Sequence, residues 1–221
     1  MTPTLCLIPA LAGTVLLLVW AAIRAKWYLV YILKPLSTLI VIGVAVLAFC
    51  RPGIEPVYAV GVLLGLAFSL LGDIVLMFEE RREALLAGLA AFLLAHVAYV
   101  VTFGVLGRVS GWDALSAGLL AAGGIGVYRL LRPNLGKMRW PVLAYIVAIS
   151  LMVNRGISTL SSPVFDTAQA VMISVGAVSF YVSDAILALC RFWKPWRFRR
   201  ISLLFYYGGQ LLIALAASGF G

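Results

Sequence analysis

The chain of 221 residues is 64% hydrophobic and only 11% charged, with a mean hydropathy of +1.10. A soluble domain of this length cannot hide that much apolar surface from water, so the composition excludes one and implies an integral membrane protein. The formal charge of +9 accompanies no visible nucleic-acid-binding module and suits anionic lipid headgroups instead.

A helix needs about 20 apolar residues to cross a hydrocarbon core about 30 Å thick. Such runs cover residues 4–23, 28–49, 57–78, 83–105, 112–131, 140–158, 167–190 and 201–219. They predict an all-α integral membrane protein with eight transmembrane helices in a single transmembrane domain spanning 1–221. Residues 1–9 contain no Lys or Arg and the first run exceeds a signal-peptide core, so the first helix is expected to be permanent. Lys34, Ser37 and Thr38 make a polar stripe on the second. On the third, Gly61, Gly65, Ser69 and Asp73 recur every four residues, a row of small side chains that leads to a carboxylate and permits close helix approach. Phe92, His96 and Tyr99 share a face of the fourth, and Pro133 bounds the fifth. Asn154, Arg155 and Gly156 interrupt the distal half of the sixth. The seventh carries Tyr181, Ser183 and Asp184, and the eighth a polar stripe of Ser202, Tyr206 and Gln210 with Tyr207 beside it.

Cations divide unevenly between the connecting loops. Those after the first, third, fifth and seventh helices hold thirteen Lys and Arg, whereas the alternate loops hold only Arg51, Arg108 and Arg155. By the positive-inside rule the thirteen-cation side is cytoplasmic and both termini lie outside.

Asp73 and Asp184 sit deep within apolar runs, where a charge costs roughly 2.5 to 3.5 kcal/mol even on lenient insertion scales, so both are functional candidates. Asp73 lies five residues before the cytoplasmic end of its predicted span and Asp184 six, while Lys34 and Tyr207 lie six residues in from the same side. At 1.5 Å per residue all four are about 8 to 9 Å inside the core and can form one layer. Lys34 either snorkels to the headgroups or neutralises a carboxylate. His96 is either a packing histidine or one that orients substrate, and Tyr99, Tyr181, Tyr206 and Tyr207 are either interfacial anchors, core aromatics or part of the site. Cys6, Cys50 and Cys190 fall in separate spans without metal-ligand spacing, and a single histidine rules out a His-rich metal cluster.

Cutting the chain into 1–107 and 108–221 gives four helices each, with the aspartates on the third helix of each half in FSLLGDIVL and FYVSDAILAL. Four crossings restore direction, so an internal repeat of this kind makes two parallel four-helix halves and sets both aspartates at equal depth.

Six fragments then resemble a known family in order along almost the whole chain: KPLSTL (34–39), GLAFSLLGDIVLM (65–77), GLAAFLLAHVAY (88–99), PVLAYIVAISLM (141–152), SFYVSDAILAL (179–189) and FYYGGQLLIAL (205–215). Together they resemble the YhhN-like lysoplasmalogenase family of multi-pass membrane proteins. The resemblance implies eight transmembrane helices and hydrolysis of the sn-1 vinyl ether bond of lysoplasmalogen to a fatty aldehyde and glycerophospho-ethanolamine or glycerophospho-choline. It also implies that Asp73 and Asp184 are the catalytic pair. A related ether lipid is the alternative substrate.

Vinyl ether hydrolysis needs an acid to protonate the β-carbon and an anion to face the resulting oxocarbenium ion. Two carboxyl groups in an apolar site can divide those roles without metal or cofactor. Leu70, Leu71, Ile74 and Leu76 surround Asp73, so desolvation alone assigns it as acid and Asp184 as base. Lys34, Ser69, His96, Tyr99, Ser183, Tyr206, Tyr207 and Gln210 are the candidate substrate-contacting residues. The lipid phosphate is expected at Lys34, Arg82 or Arg197, with lateral access from the inner leaflet. A proton-coupled transporter or lipid-handling protein would use the same buried carboxylates. An intramembrane aspartyl protease also pairs two aspartates, but its YD and GxGD pattern is not met, and Tyr181 is three residues from Asp184 rather than adjacent.

Overall fold

The computed structural model describes residues 3–50, 53–196 and 199–217, with side chains from residue 6 onward. The described residues form eight α-helices and no strand: α1 Pro3–Ile23, α2 Trp27–Phe49, α3 Pro56–Val75, α4 Arg82–Leu106, α5 Gly111–Leu135, α6 Arg139–Ser158, α7 Thr167–Phe192 and α8 Ser202–Leu215. Six segments are long and apolar enough to cross a membrane: Cys6–Ile23, Trp27–Phe49, Pro56–Phe78, Arg82–Leu106, Gly111–Ser161 and Thr167–Phe192. The fifth contains both α5 and α6, and the 14 described residues of α8 are shorter than a crossing. The protein is thus a multi-pass helical membrane protein.

Two boundaries differ from those expected. Pro133 lies inside α5 rather than ending it, and the chain turns instead at Gly136, whose φ of 50° favours a residue without Cβ. Helix α6 runs unbroken through Asn154 and Arg155, because their polar groups find partners on α5. Asn154 Nδ2 donates to the Asp113 carbonyl at 2.8 Å and to Ser116 Oγ at 2.7 Å, and Arg155 Nη2 pairs with Asp113 Oδ1 at 2.9 Å. Asp113 also closes a capping box with Ser110 at the start of α5. What reads in one dimension as an interruption is a polar clasp between two helix ends.

Large apolar side chains such as Leu16, Val60, Val101, Leu119, Val147 and Val175 cover outward faces, while Ser37, Thr38, Ser69, Asp73, His96, Ser183 and Gln210 are buried. This inversion is the arrangement lipid demands, since lipid solvates apolar faces and leaves polar groups to be satisfied within the bundle. Helix α3 packs on α4 and α7 on α8, while α2 contacts α1, α3 and α8, and α6 contacts α4, α5 and α7. Small residues set the closest approaches. The space a Cβ would take at Gly61 and Gly65 is filled by Thr102 and Tyr99 of α4, and at Gly72 by the Phe92 ring. Gly176 and Gly209 let the backbones of α7 and α8 touch, each standing where a Cβ would meet the other's carbonyl oxygen at 2.8 and 2.7 Å.

Candidate active site

The tight α3–α4 and α7–α8 pairs bring their carboxylates to one cavity of about 430 Å³, whose wall includes Lys34, Asp73, Tyr145, Ser183, Asp184 and Tyr206. Asp73 is 1% exposed. Lys34 Nζ from α2 stands 3.2 Å from its Oδ1, while Thr38 Oγ1 and the Tyr206 hydroxyl donate to its Oδ2 at 2.6 and 2.7 Å. The carboxylate therefore draws one cation and two neutral donors.

Asp184 has a different environment. The Tyr145 hydroxyl of α6 donates to its Oδ2 at 2.5 Å, and His96 Nε2 of α4 lies 3.4 Å from the same oxygen and 3.0 Å from the tyrosine hydroxyl. His96, Tyr145 and Asp184 thus make a closed triangle of polar groups. Each carboxylate draws partners from two other helices: Asp73 from α2 and α8, Asp184 from α6 and α4. Phe180 lies between the two sets, its ring 5.2 Å from Tyr206 and 5.0 Å from His96 in edge-on contacts.

The other expected contact residues lie off the cavity wall. Tyr207 donates to the Lys34 carbonyl oxygen at 2.8 Å and so fixes α2 against α8. The Tyr99 ring packs over Gly65 and stacks on Phe103, and Ser69 and Gln210 are wholly buried. His96 reaches the cavity only through Tyr145 and Asp184. Tyr145 is a partner that the sequence does not single out, because an aromatic in an apolar helix looks like core. It precedes Asp184 by 39 residues, as Lys34 precedes Asp73, and that shared spacing is the signal that points to it.

At the wide end the wall is charged, formed by Glu79, Glu80, Arg191, Arg199 and Arg200 with Trp27. Arg199 Nη2 pairs with Glu79 Oε1 at 3.1 Å, and Arg191 donates to the Glu79 carbonyl at 3.0 Å. Of the cations expected near a lipid phosphate, Lys34 is on the wall but committed to Asp73. Arg82 is exposed and off the wall, and Arg197 lies outside the described residues.

The helical bundle with its inverted surface and two separately buttressed carboxylates on one cavity defines a multi-pass integral membrane protein with a polar site enclosed among its helices. A profile of the YhhN family matches residues 29–217, and the chain belongs to that family. It is 33% identical over 165 residues to lysoplasmalogenase TMEM86A of Bos taurus, covering 72% of this chain and 65% of that protein. It is 27% identical over 201 residues to the membrane protein YhhN of Escherichia coli O157:H7, covering 87% and 89%. With the lysoplasmalogenase of Mycobacterium tuberculosis it shares 33% identity over 135 residues, 58% of this chain and 48% of that one. The chain therefore spans about two thirds of the TMEM86A length. No solved structure matches it.

Proposed function

We propose that the protein hydrolyses the vinyl ether bond of lysoplasmalogens, releasing a fatty aldehyde and glycerophospho-ethanolamine or glycerophospho-choline. The observation that carries this reading is the convergence of Asp73 and Asp184, with separate sets of partners, on one largely apolar cavity. The names of the bovine and mycobacterial relatives supply the substrate class.

In this scheme the roles are the reverse of those that desolvation alone suggests. Asp184, joined to Tyr145 and His96, gives its proton to the β-carbon of the vinyl ether, and the positive charge develops on the adjacent carbon and ether oxygen. Asp73, paired with Lys34 and hydrogen-bonded by Thr38 and Tyr206, faces that oxocarbenium ion as the carboxylate and takes a proton from the attacking water. The hemiacetal so formed collapses to aldehyde and alcohol as Asp73 returns its proton to the leaving oxygen and Asp184 takes the hemiacetal hydroxyl proton, restoring both carboxyl groups. One water is consumed and no redox step occurs.

The membrane arrangement belongs to the same proposal. Eight crossings, both termini outside and the thirteen-cation loops in the cytoplasm put the cavity's charged end at the inner leaflet. The exchange of partners between the α2/α3/α8 and α6/α7/α4 groups supports an internal repeat of parallel halves. Incubating purified protein with lysoplasmenylethanolamine should release fatty aldehyde, and a 1-acyl lysophospholipid should yield none. Absence of aldehyde from the first substrate would sink the reading.

A further inference from the structure

Three arginines stand at the charged end of the cavity, Arg191 from the last turn of α7 and Arg199 and Arg200 from the short turn before α8. Their local countercharge is incomplete. Glu79 is engaged by Arg199 through its carboxylate and by Arg191 through its carbonyl, whereas Glu80 is exposed. Arg200 makes no ion pair among the described residues and instead lies over the Trp27 ring, 5.5 Å from its centroid. Arg199 Nε is buried without a hydrogen-bond partner among the described residues, so one edge of its guanidinium is unspent. Burial and then the neighbouring Arg199 push the Arg200 guanidinium below its usual range, against a smaller opposing pull from Glu79. A cluster with adjacent like charges, an unused donor and a cavity in front of it is complementary to a multivalent anion.

We propose that Arg199 and Arg200, with Arg191 beside them, form the seat for the phosphate of a lysophospholipid whose chain lies in the cavity below. This rests on the lysoplasmalogenase reading for the identity of the chain, and it moves the phosphate away from Lys34, which the Asp73 pairing occupies. The cavity runs from this seat to both carboxylates, so a single amphiphile can meet the arginines with its headgroup and the aspartates with its sn-1 linkage. Trp27 is on the same wall, and its cation–π contact with Arg200 does not use the guanidinium N–H donors.

The test compares binding of 1-O-alkyl-glycerophosphoethanolamine, which has no vinyl ether to cleave, with binding of 1-O-alkylglycerol of the same chain length, in detergent. Wild-type protein should prefer the phosphate-bearing lipid by about tenfold or more, one charge-assisted contact or its equivalent. Arg200→Gln and Arg199→Gln should each bring that ratio toward one, while Arg129→Gln, an exposed arginine off the cavity wall, should keep it. Arg200→Gln leaves the Glu79 tie intact and so reads the seat even if Arg199→Gln fails to fold. A ratio unchanged in Arg200→Gln overturns the proposal, as does displacement of the lipid by inorganic phosphate at equal concentration, which would mark a free-anion site. Aldehyde release in parallel separates the two ideas. Phosphate preference without aldehyde removes the reaction and keeps the seat, and aldehyde without phosphate preference does the opposite.

Discussion

Tyr145 donates its hydroxyl hydrogen to Asp184 over 2.5 Å from 39 residues earlier in the chain, the same separation at which Lys34 pairs with Asp73. One carboxylate thus has a cation for a partner and the other a neutral donor. Tyr145→Phe removes one hydrogen bond to a charged or proton-bearing group, an effect of about 1.5 to 3 kcal/mol. It should lower kcat for aldehyde release about tenfold to a hundredfold with a much smaller change in KM. A variant with wild-type kcat would take Tyr145 out of the proton-transfer geometry.

The assignment of acid and base makes different demands on the two carboxyl groups. Asp184 must give a proton to the vinyl ether carbon, and Asp73 must face the cation that results. Asp184→Asn and Asp73→Asn should each reduce kcat by about a hundredfold to ten-thousandfold. Two variants with near-normal turnover would abolish the scheme.

Asp73 and Asp184 are legible in sequence because a carboxylate inside an apolar run has no ordinary reason to be there. The same contrast fixes the helices, whose limits follow hydropathy closely at α1, α2, α4 and α7. Periodicity can say that Ser69, His96, Tyr99 and Gln210 face inward, but inward includes both a cavity and a neighbouring helix. Tyr99 faces Gly65, and His96 faces Asp184 from behind. Only packing decides between those outcomes. Likewise Asn154 and Arg155 read as a break in α6 until Asp113, more than 40 residues earlier in the chain, supplies their partner.

Lys34 and Asp73 form a pair whose members are 19% and 1% exposed. Removing the cation alone leaves a buried carboxylate without its countercharge, which costs on the order of 3 kcal/mol. Lys34→Met should therefore lower the thermal unfolding midpoint in detergent by several degrees. Lys34→Met combined with Asp73→Asn should recover most of that loss, since a neutral amide still accepts from Thr38 and Tyr206. If the double variant is no more stable than Lys34→Met, the lysine acts through its aliphatic stem rather than its charge.

Helices α7 and α8 touch backbone to backbone, which ties the position of Asp184 to that of Tyr206. A Cβ at Gly176 would lie 2.8 Å from the Gly209 carbonyl oxygen and 2.8 Å from Ile213 Cγ1, and a backbone atom cannot rotate away as a side-chain end can. Gly176→Ala should destabilise by about 1 to 3 kcal/mol, the range for overpacking. Gly208→Ala is the matched control, because a Cβ there meets nothing within 4 Å. That substitution should be neutral or stabilising by up to about 1 kcal/mol, since alanine loses less backbone freedom in a helix. The same insertion at Gly176 must push α8 outward, lengthening the Tyr206 contact with Asp73, so kcat should fall even in the fraction that remains folded. Equal melting midpoints for the two variants would mean that the helices have room to part, and the close approach would no longer account for how the two carboxylates keep their separate environments.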